Sequence, residues 1–308
     1  MKPDSSLDLA AQSLTAQPSL LAAWMDLVKS RIASMVVLSA FVGAILSSAP
    51  RLEFARSFVA ALCVGLVAAS SAIFNHVLER DTDRLMQRTQ HRPLVTGRVR
   101  VRDALIVAGT LAIAGTLGLA LAYNLLSALL AISSLVGYAL IYTPFKRVST
   151  LNTIVGAVPG AMPPLIAATA IAGVPTSWGW SLFALIFCWQ FPHFMAIAWL
   201  YREDYARAGM KMLPAMAGNE GVAGRQALLY GLTGIPISLL PTLHGEAGLV
   251  YAVAALALGV AYVGAAWRFA LREDRARART LLLVSILYLP SMFAAVFIDP
   301  TVLRAFHL

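Results

Sequence analysis

Nine apolar runs of about 20 residues follow one another along this 308-residue chain. A helix of that length rises about 30 Å, the depth of a bilayer's hydrocarbon core. The runs lie near 32–50, 56–78, 103–122, 124–143, 151–173, 179–201, 226–243, 246–270 and 280–298. They are too long, and alternate too little, to be strands of a membrane barrel. The third and fourth nearly touch at Tyr123-Asn124, and Pro236 predicts a kink in the seventh. Only 13% of the residues are charged and 59% are hydrophobic, where a soluble domain carries roughly 25% charge. A soluble enzyme, a disordered chain and a fibrous protein are excluded. The expected class is all-α and polytopic, one membrane domain over 1–308: an N-terminal segment 1–26, a bundle 27–298 and a tail 299–308. Cys63 and Cys188 both fall within apolar runs and read as small core residues, not a disulfide.

The connectors alternate sharply in charge. Lys29 and Arg31 precede the first span, and seven arginines from Arg80 to Arg102 follow the second. Lys146 and Arg147 follow the fourth; Arg202, Arg207, Lys211 and Arg225 follow the sixth; five arginines from Arg268 to Arg279 follow the eighth. With Lys2, this face holds 21 of the 24 basic residues. The positive-inside rule then puts the N-terminus in the cytoplasm and the C-terminus outside. Topology therefore explains most of the +9 net charge without a nucleic-acid partner. Asp4 and Asp8, with no compact apolar run behind a basic start, fit neither a secretory signal nor a transit peptide. A bacterial cytoplasmic (inner) membrane is the simplest home, with the lipid bilayer as solvent.

Carboxylates do little for orientation, yet they gather where the second and sixth spans end: Glu79, Asp81 and Asp83, then Glu203 and Asp204. Both ends meet the same face four helices apart, which suggests a distant internal repeat. Asn75, Glu79 and Asp83 are spaced i, i+4, i+8, so on a helix they share an arc of about 80°. An amide and two carboxylates offer an all-oxygen site suited to Mg²⁺ with phosphate oxygens completing the shell. The alternative is local ion pairing of Glu79 and Asp83 with Arg80, Arg84 and Arg88. Asp81 points to the other side. Arg88 and Arg92, in RTQHRPL, offer forks that suit a diphosphate, or form part of a loop that topology makes basic anyway.

The sixth span carries Gln190 and His193 at membrane depth, with Lys211 beyond its acidic end. Polar groups at such depth face a cavity or a partner helix; His193 could ligate haem iron, move a proton or bridge two helices. In the fifth span, Asn152, Gly156, Pro159, Gly160, Pro163 and Pro164 predict close helix approach or a broken helix.

Three stretches together, FNHVLERDTDRLMQRTQHRPL, YTPFKR…NTIVGAVPGAMPPLI and CWQFPHFMAIAWLYREDY…MLP, resemble the haem O synthases, the protohaem IX farnesyltransferases of the UbiA superfamily of intramembrane prenyltransferases. LVKSRI near the start resembles the same branch. The sequence departs in having Glu79 where the superfamily usually has Asp, Ser30 at a position commonly proline, and no paired aspartates after the sixth span. The resemblance implies nine helices around a central cavity open to the cytoplasmic side. It also implies transfer of farnesyl from farnesyl diphosphate to a vinyl group of haem b, with water added, giving haem O. By the same resemblance, Asn75, Glu79, Asp83 and Asp204 hold Mg²⁺, and Arg88, Arg92, Lys146, Arg147 and Lys211 bind diphosphate. His193 contacts haem, and haem A synthase or a terminal oxidase becomes a candidate partner. The rivals are a prenyltransferase for an aromatic quinone precursor and a secondary transporter.

Overall fold

The computed structural model describes residues 19–216, 218 and 220–307. Most of the expected N-terminal segment, Lys2 included, lies outside the described residues. Among those described, every regular element is helical. Eight helices are long and apolar enough to cross a membrane, and a bent pair makes the ninth. The protein is a multi-pass membrane protein.

Span 1 is the bent pair, Leu20–Leu27 and Ser30–Leu46, meeting at 50°. Spans 2 to 5 are Phe54–Leu78, Val101–Ala122, Leu125–Phe145 and Asn152–Ala172. Spans 6 to 9 are Ser177–Leu200, Val222–Leu243, Leu249–Leu271 and Arg275–Phe297. Each matches an apolar run read from the sequence. Span 7 continues as helix through Pro236 and breaks at Leu239, before Pro241. Cys63 and Cys188 are buried and free.

Packing around span 5 organises the bundle. It touches spans 1, 2, 4 and 6, and spans 6 to 9 close a second group against span 6. Its most apolar stretch is 72% buried, against 22% for spans 3, 4 and 7, which leave more of their surface for lipid. The prolines of span 5 do not break it. Pro163 cannot give an N–H to the carbonyl of Pro159, but the Ser134 hydroxyl donates to that oxygen at 3.2 Å. The alternative of close helix approach holds instead: Gly43 of span 1 lies against the backbone of Pro164. Asn124 ties the start of span 4 to the end of span 5. Its Oδ1 accepts from Ser127 N–H at 2.9 Å, while Nδ2 donates to the carbonyls of Thr169 and Ala170.

A methyl at position 43 would meet backbone that cannot swing away, and such overpacking costs about 1–3 kcal/mol. Gly43→Ala is expected to lower the unfolding temperature in detergent. Gly109→Ala, where a methyl meets nothing within 4 Å, should leave it unchanged or raise it.

Candidate active site

Span 2 ends at Leu78, and a short helix, Arg80–Asp83, follows across Glu79. The turn is irregular, yet Glu79 N–H still bonds Asn75 O at 2.9 Å, and Asp83 N–H bonds Glu79 O at 2.8 Å. The helical register therefore survives, and Asn75, Glu79 and Asp83 stay on one buried face. Asp81 is exposed and lies 3.9 Å from Arg84. Span 6 ends in the same way, with Arg202–Arg207 following across Tyr201.

Each of the three buried groups carries a cation from elsewhere in the chain. Lys29 Nζ donates to Asn75 Oδ1 at 2.8 Å. Lys146 Nζ donates to Glu79 Oε1 at 2.6 Å, and Arg92 Nη1 to Asp83 Oδ2 at 2.7 Å. The local pairs with Arg80, Arg84 and Arg88 are not formed by Glu79 or Asp83; Arg80 donates to the carbonyl of Leu94 instead. Burial pushes the Glu79 carboxyl up, but Lys146, Lys29 and Arg92 outweigh it and hold it below the usual range. Burial also pushes Lys146 down, and Glu79 more than reverses that, so the pair is ionised. At Asp83 burial prevails over Arg92 and the carboxyl titrates above its ordinary value.

Two backbone features deliver these cations. Lys29 sits at the bend of span 1 with φ 50° and ψ 54°, a left-handed conformation uncommon for a residue with a side chain. Span 4 widens into a π-helical turn over Gly137–Tyr142, a feature that often accompanies functional sites. That turn brings the Tyr142 ring to 4.4 Å from Lys146 Nζ, and the Tyr138 ring to 6.0 Å from Lys29 Nζ. Thr143, just beyond it, accepts from Asn75 Nδ2 at 3.1 Å and donates to Tyr138 O at 2.9 Å. The sequence offered Lys29 only as a topological charge and a family likeness, Thr143 only as part of the family-like YTPFKR, and gave no signal for Tyr138.

Asp204 is placed differently from the other acids. Its carboxylate accepts from the backbone N–H of Gln87 and Arg88 at 3.3 and 3.2 Å, and pairs with Arg207 at 3.2 Å. The Arg88 guanidinium lies 5.0 Å from the Tyr201 ring and reaches the Tyr205 hydroxyl. Lys211 joins through its backbone: its N–H donates to Lys146 O at 2.8 Å, and its carbonyl accepts from Asn152 Nδ2 at 2.9 Å. The side chains of Lys211 and Arg147 are exposed, outside the buried pairs. Three loops are thus knitted over one end of the bundle.

Among the described residues, no three acidic, histidine or cysteine side chains gather as a metal cluster. The donor chemistry nevertheless fits a hard cation. Asn75 and Glu79 supply oxygens that ammonium groups occupy, and Asp83 Oδ1 is buried with no hydrogen-bond partner. An orphaned carboxylate oxygen at this depth suits a divalent ion.

His193 lies ten residues before Glu203, about 15 Å along the helix. Its ring stacks on Trp189 and its Nδ1 is 2.8 Å from Ser285 Oγ of span 9. The Ser285 hydroxyl donates to Leu282 O, so Nδ1 carries the proton and donates to Oγ, leaving a lone pair on Nε2. An aromatic crevice beside it, lined by Trp189, Tyr230, Tyr262 and Tyr288, has room for about 10 Å³.

Residues 36–295 match the UbiA prenyltransferase family. The chain belongs to the UbiA prenyltransferase family. Relatives include a protoheme IX farnesyltransferase of Solibacter usitatus, 40% identical over 90% of this chain and 98% of the relative. Another is that of Koribacter versatilis, 40% identical over 92% and 95%. Solved structures share the UbiA fold. A digeranylgeranylglyceryl phosphate synthase superposes with a TM-score of 0.75 at 16% identity, over 94% of this chain and 99% of the other. An Archaeoglobus fulgidus UbiA homologue bound to DMAPP and Mg²⁺ gives 0.65 at 20%, over 89% and 99%.

Removing one member of a buried ion pair strands the other and costs about 3–5 kcal/mol. Lys146→Met is expected to lower the unfolding temperature sharply in detergent, and adding Glu79→Gln should restore most of the loss. A double variant no better than the single would show that the pair is not what Lys146 contributes.

Proposed function

We propose that this chain transfers the farnesyl group of farnesyl diphosphate to a vinyl group of haem b, with addition of water, to give haem O and diphosphate. Near-full-length identity to protoheme IX farnesyltransferases carries this conclusion. The buried ladder of acids and cations supplies the means. It sits at the basic end of the bundle, which the positive-inside rule assigns to the cytoplasm of a bacterial cell.

Lys146, Arg92 and Lys29 bind the diphosphate and oppose the charge that grows on it as the C1–O bond breaks and the electron pair departs with it. Arg88 joins them from the loop after span 2. The exposed Arg147 and Lys211 add long-range attraction for the anion. Asn75, Glu79 and Asp83 would hold Mg²⁺, joined by Asp204 when it releases the Gln87 and Arg88 amides; the ion supplies Lewis-acid neutralisation of the leaving group. A relative of the same fold was solved with Mg²⁺ and a prenyl diphosphate, which supports that assignment. The surrounding helices keep bulk water from the allylic cation until the vinyl carbon attacks it. The resulting haem cation takes a water oxygen and loses one proton.

His193 is the haem contact. The hydrogen bond from its Nδ1 to Ser285 sets the tautomer that leaves Nε2 able to ligate iron. The crevice beside it must open to admit a macrocycle. His193→Ala is expected to change the absorption spectrum of bound haem b while farnesyl diphosphate binding is kept. An unchanged spectrum would remove His193 from the iron.

Purified protein given haem b, farnesyl diphosphate and Mg²⁺ should yield haem heavier by a farnesyl and a hydroxyl group, and a chelator should abolish the gain. Asp83→Asn should lose turnover while remaining in the membrane. Prenylation of p-hydroxybenzoate in place of haem would assign the chain to the quinone branch.

A further inference from the structure

His76 lies one residue beyond Asn75 and three before Glu79, with only 1% of its surface exposed. Neither Nδ1 nor Nε2 has a hydrogen-bond partner. Every imidazole carries at least one N–H, and a dry interior normally pairs it. The positive charges that bear on this ring are those of Arg92, Lys29 and Lys146, the three cations of the buried pairs. At 100° per residue, position 76 falls about 60° from Glu79 around the helix, on the side toward Asp83. Asp83 Oδ1 is itself buried without a partner. Unsatisfied atoms of two side chains thus lie at the end of span 2 and in the short helix that follows it, near three cations.

A core histidine kept for packing would be expected to find a carbonyl or hydroxyl. Within the cluster Asn75 Oδ1 is engaged by Lys29, Glu79 Oε1 by Lys146 and Asp83 Oδ2 by Arg92, and the acceptor left open, Asp83 Oδ1, is the one offered to the metal ion. A ligand oxygen supplies the acceptor the ring lacks, and the cations around it select an anion rich in oxygens.

We propose that His76 donates a ring N–H to an oxygen of the substrate diphosphate, beside the lysines and arginine that bind it. The proposal rests on the prenyltransferase reading of this site and adds a residue to it. Ammonium groups attract an anion from many directions, whereas a ring fixed on a helix offers an N–H along one line. His76 therefore sets which diphosphate oxygen faces span 2.

The test uses the full-length protein in detergent, titrated calorimetrically with inorganic pyrophosphate in the presence of Mg²⁺. His76→Leu keeps the bulk without a donor, and His76→Gln keeps an N–H at similar reach. His76→Leu is expected to weaken pyrophosphate binding by about tenfold or more, the size of one lost hydrogen bond to a charged group. His76→Gln should recover most of that. The KM for farnesyl diphosphate should rise in His76→Leu while the KM for haem stays put, a split that general loosening of the fold would not produce. Wild-type-like pyrophosphate binding by His76→Leu would overturn the proposal and leave the ring to a buried water. Equal loss in both variants would overturn it too, since the donor would then not matter. Failure of the wild type itself to bind pyrophosphate would overturn the prenyltransferase reading, and His76 with it.

Discussion

The contact between Lys146 and Glu79, 2.6 Å long and almost wholly out of water, is the constraint on which the catalytic end depends. Taking two charges from water costs several kcal/mol each, and only close mutual pairing recovers it. Glu79 is fixed by span 2, so the end of span 4 must come to it. The π-helical turn at Gly137–Tyr142 and the Thr143 bridge to Asn75 hold span 4 in that position. Once Lys146 is there, its carbonyl receives the Lys211 N–H, and the loop after span 6 is drawn in as well. Asp204 completes the closure by gripping the backbone of Gln87 and Arg88.

The same pairing prepares the site for ligands of both signs. Glu79 and Asp83 face ammonium and guanidinium groups that a diphosphate can take over, while the released oxygens suit a divalent ion. Under the function proposed above, substrate binding is an exchange of partners among charges already desolvated and oriented, with much of the reorganisation completed in folding.

What the sequence made legible was what local periodicity encodes. Among the described residues the nine runs gave nine spans, and the i, i+4, i+8 spacing of Asn75, Glu79 and Asp83 placed them on one face because the backbone bonds persist through the irregular turn at Glu79. The partners were not legible. Lys29 meets Asn75 across 46 residues and Lys146 meets Glu79 across 67, and no spacing rule reaches that far. Prolines suggested a break in span 5, but a hydroxyl on a different helix, Ser134, repairs the bond that Pro163 cannot make. No spacing showed that Asp204 grips amides of a loop more than a hundred residues earlier. His76 gave no signal beyond its place in a family-like stretch, because an unpartnered ring is visible only once its neighbours are in place.

The most direct measurement is a structure of this protein with Mg²⁺ and a non-hydrolysable farnesyl diphosphate analogue. Lys146 Nζ should have left Glu79 Oε1, and Arg92 should have left Asp83, with both cations on diphosphate oxygens and both carboxylates turned to the ion. A bound diphosphate lying elsewhere, with the Lys146–Glu79 and Arg92–Asp83 pairs intact, would contradict the exchange of partners on which the whole site is built.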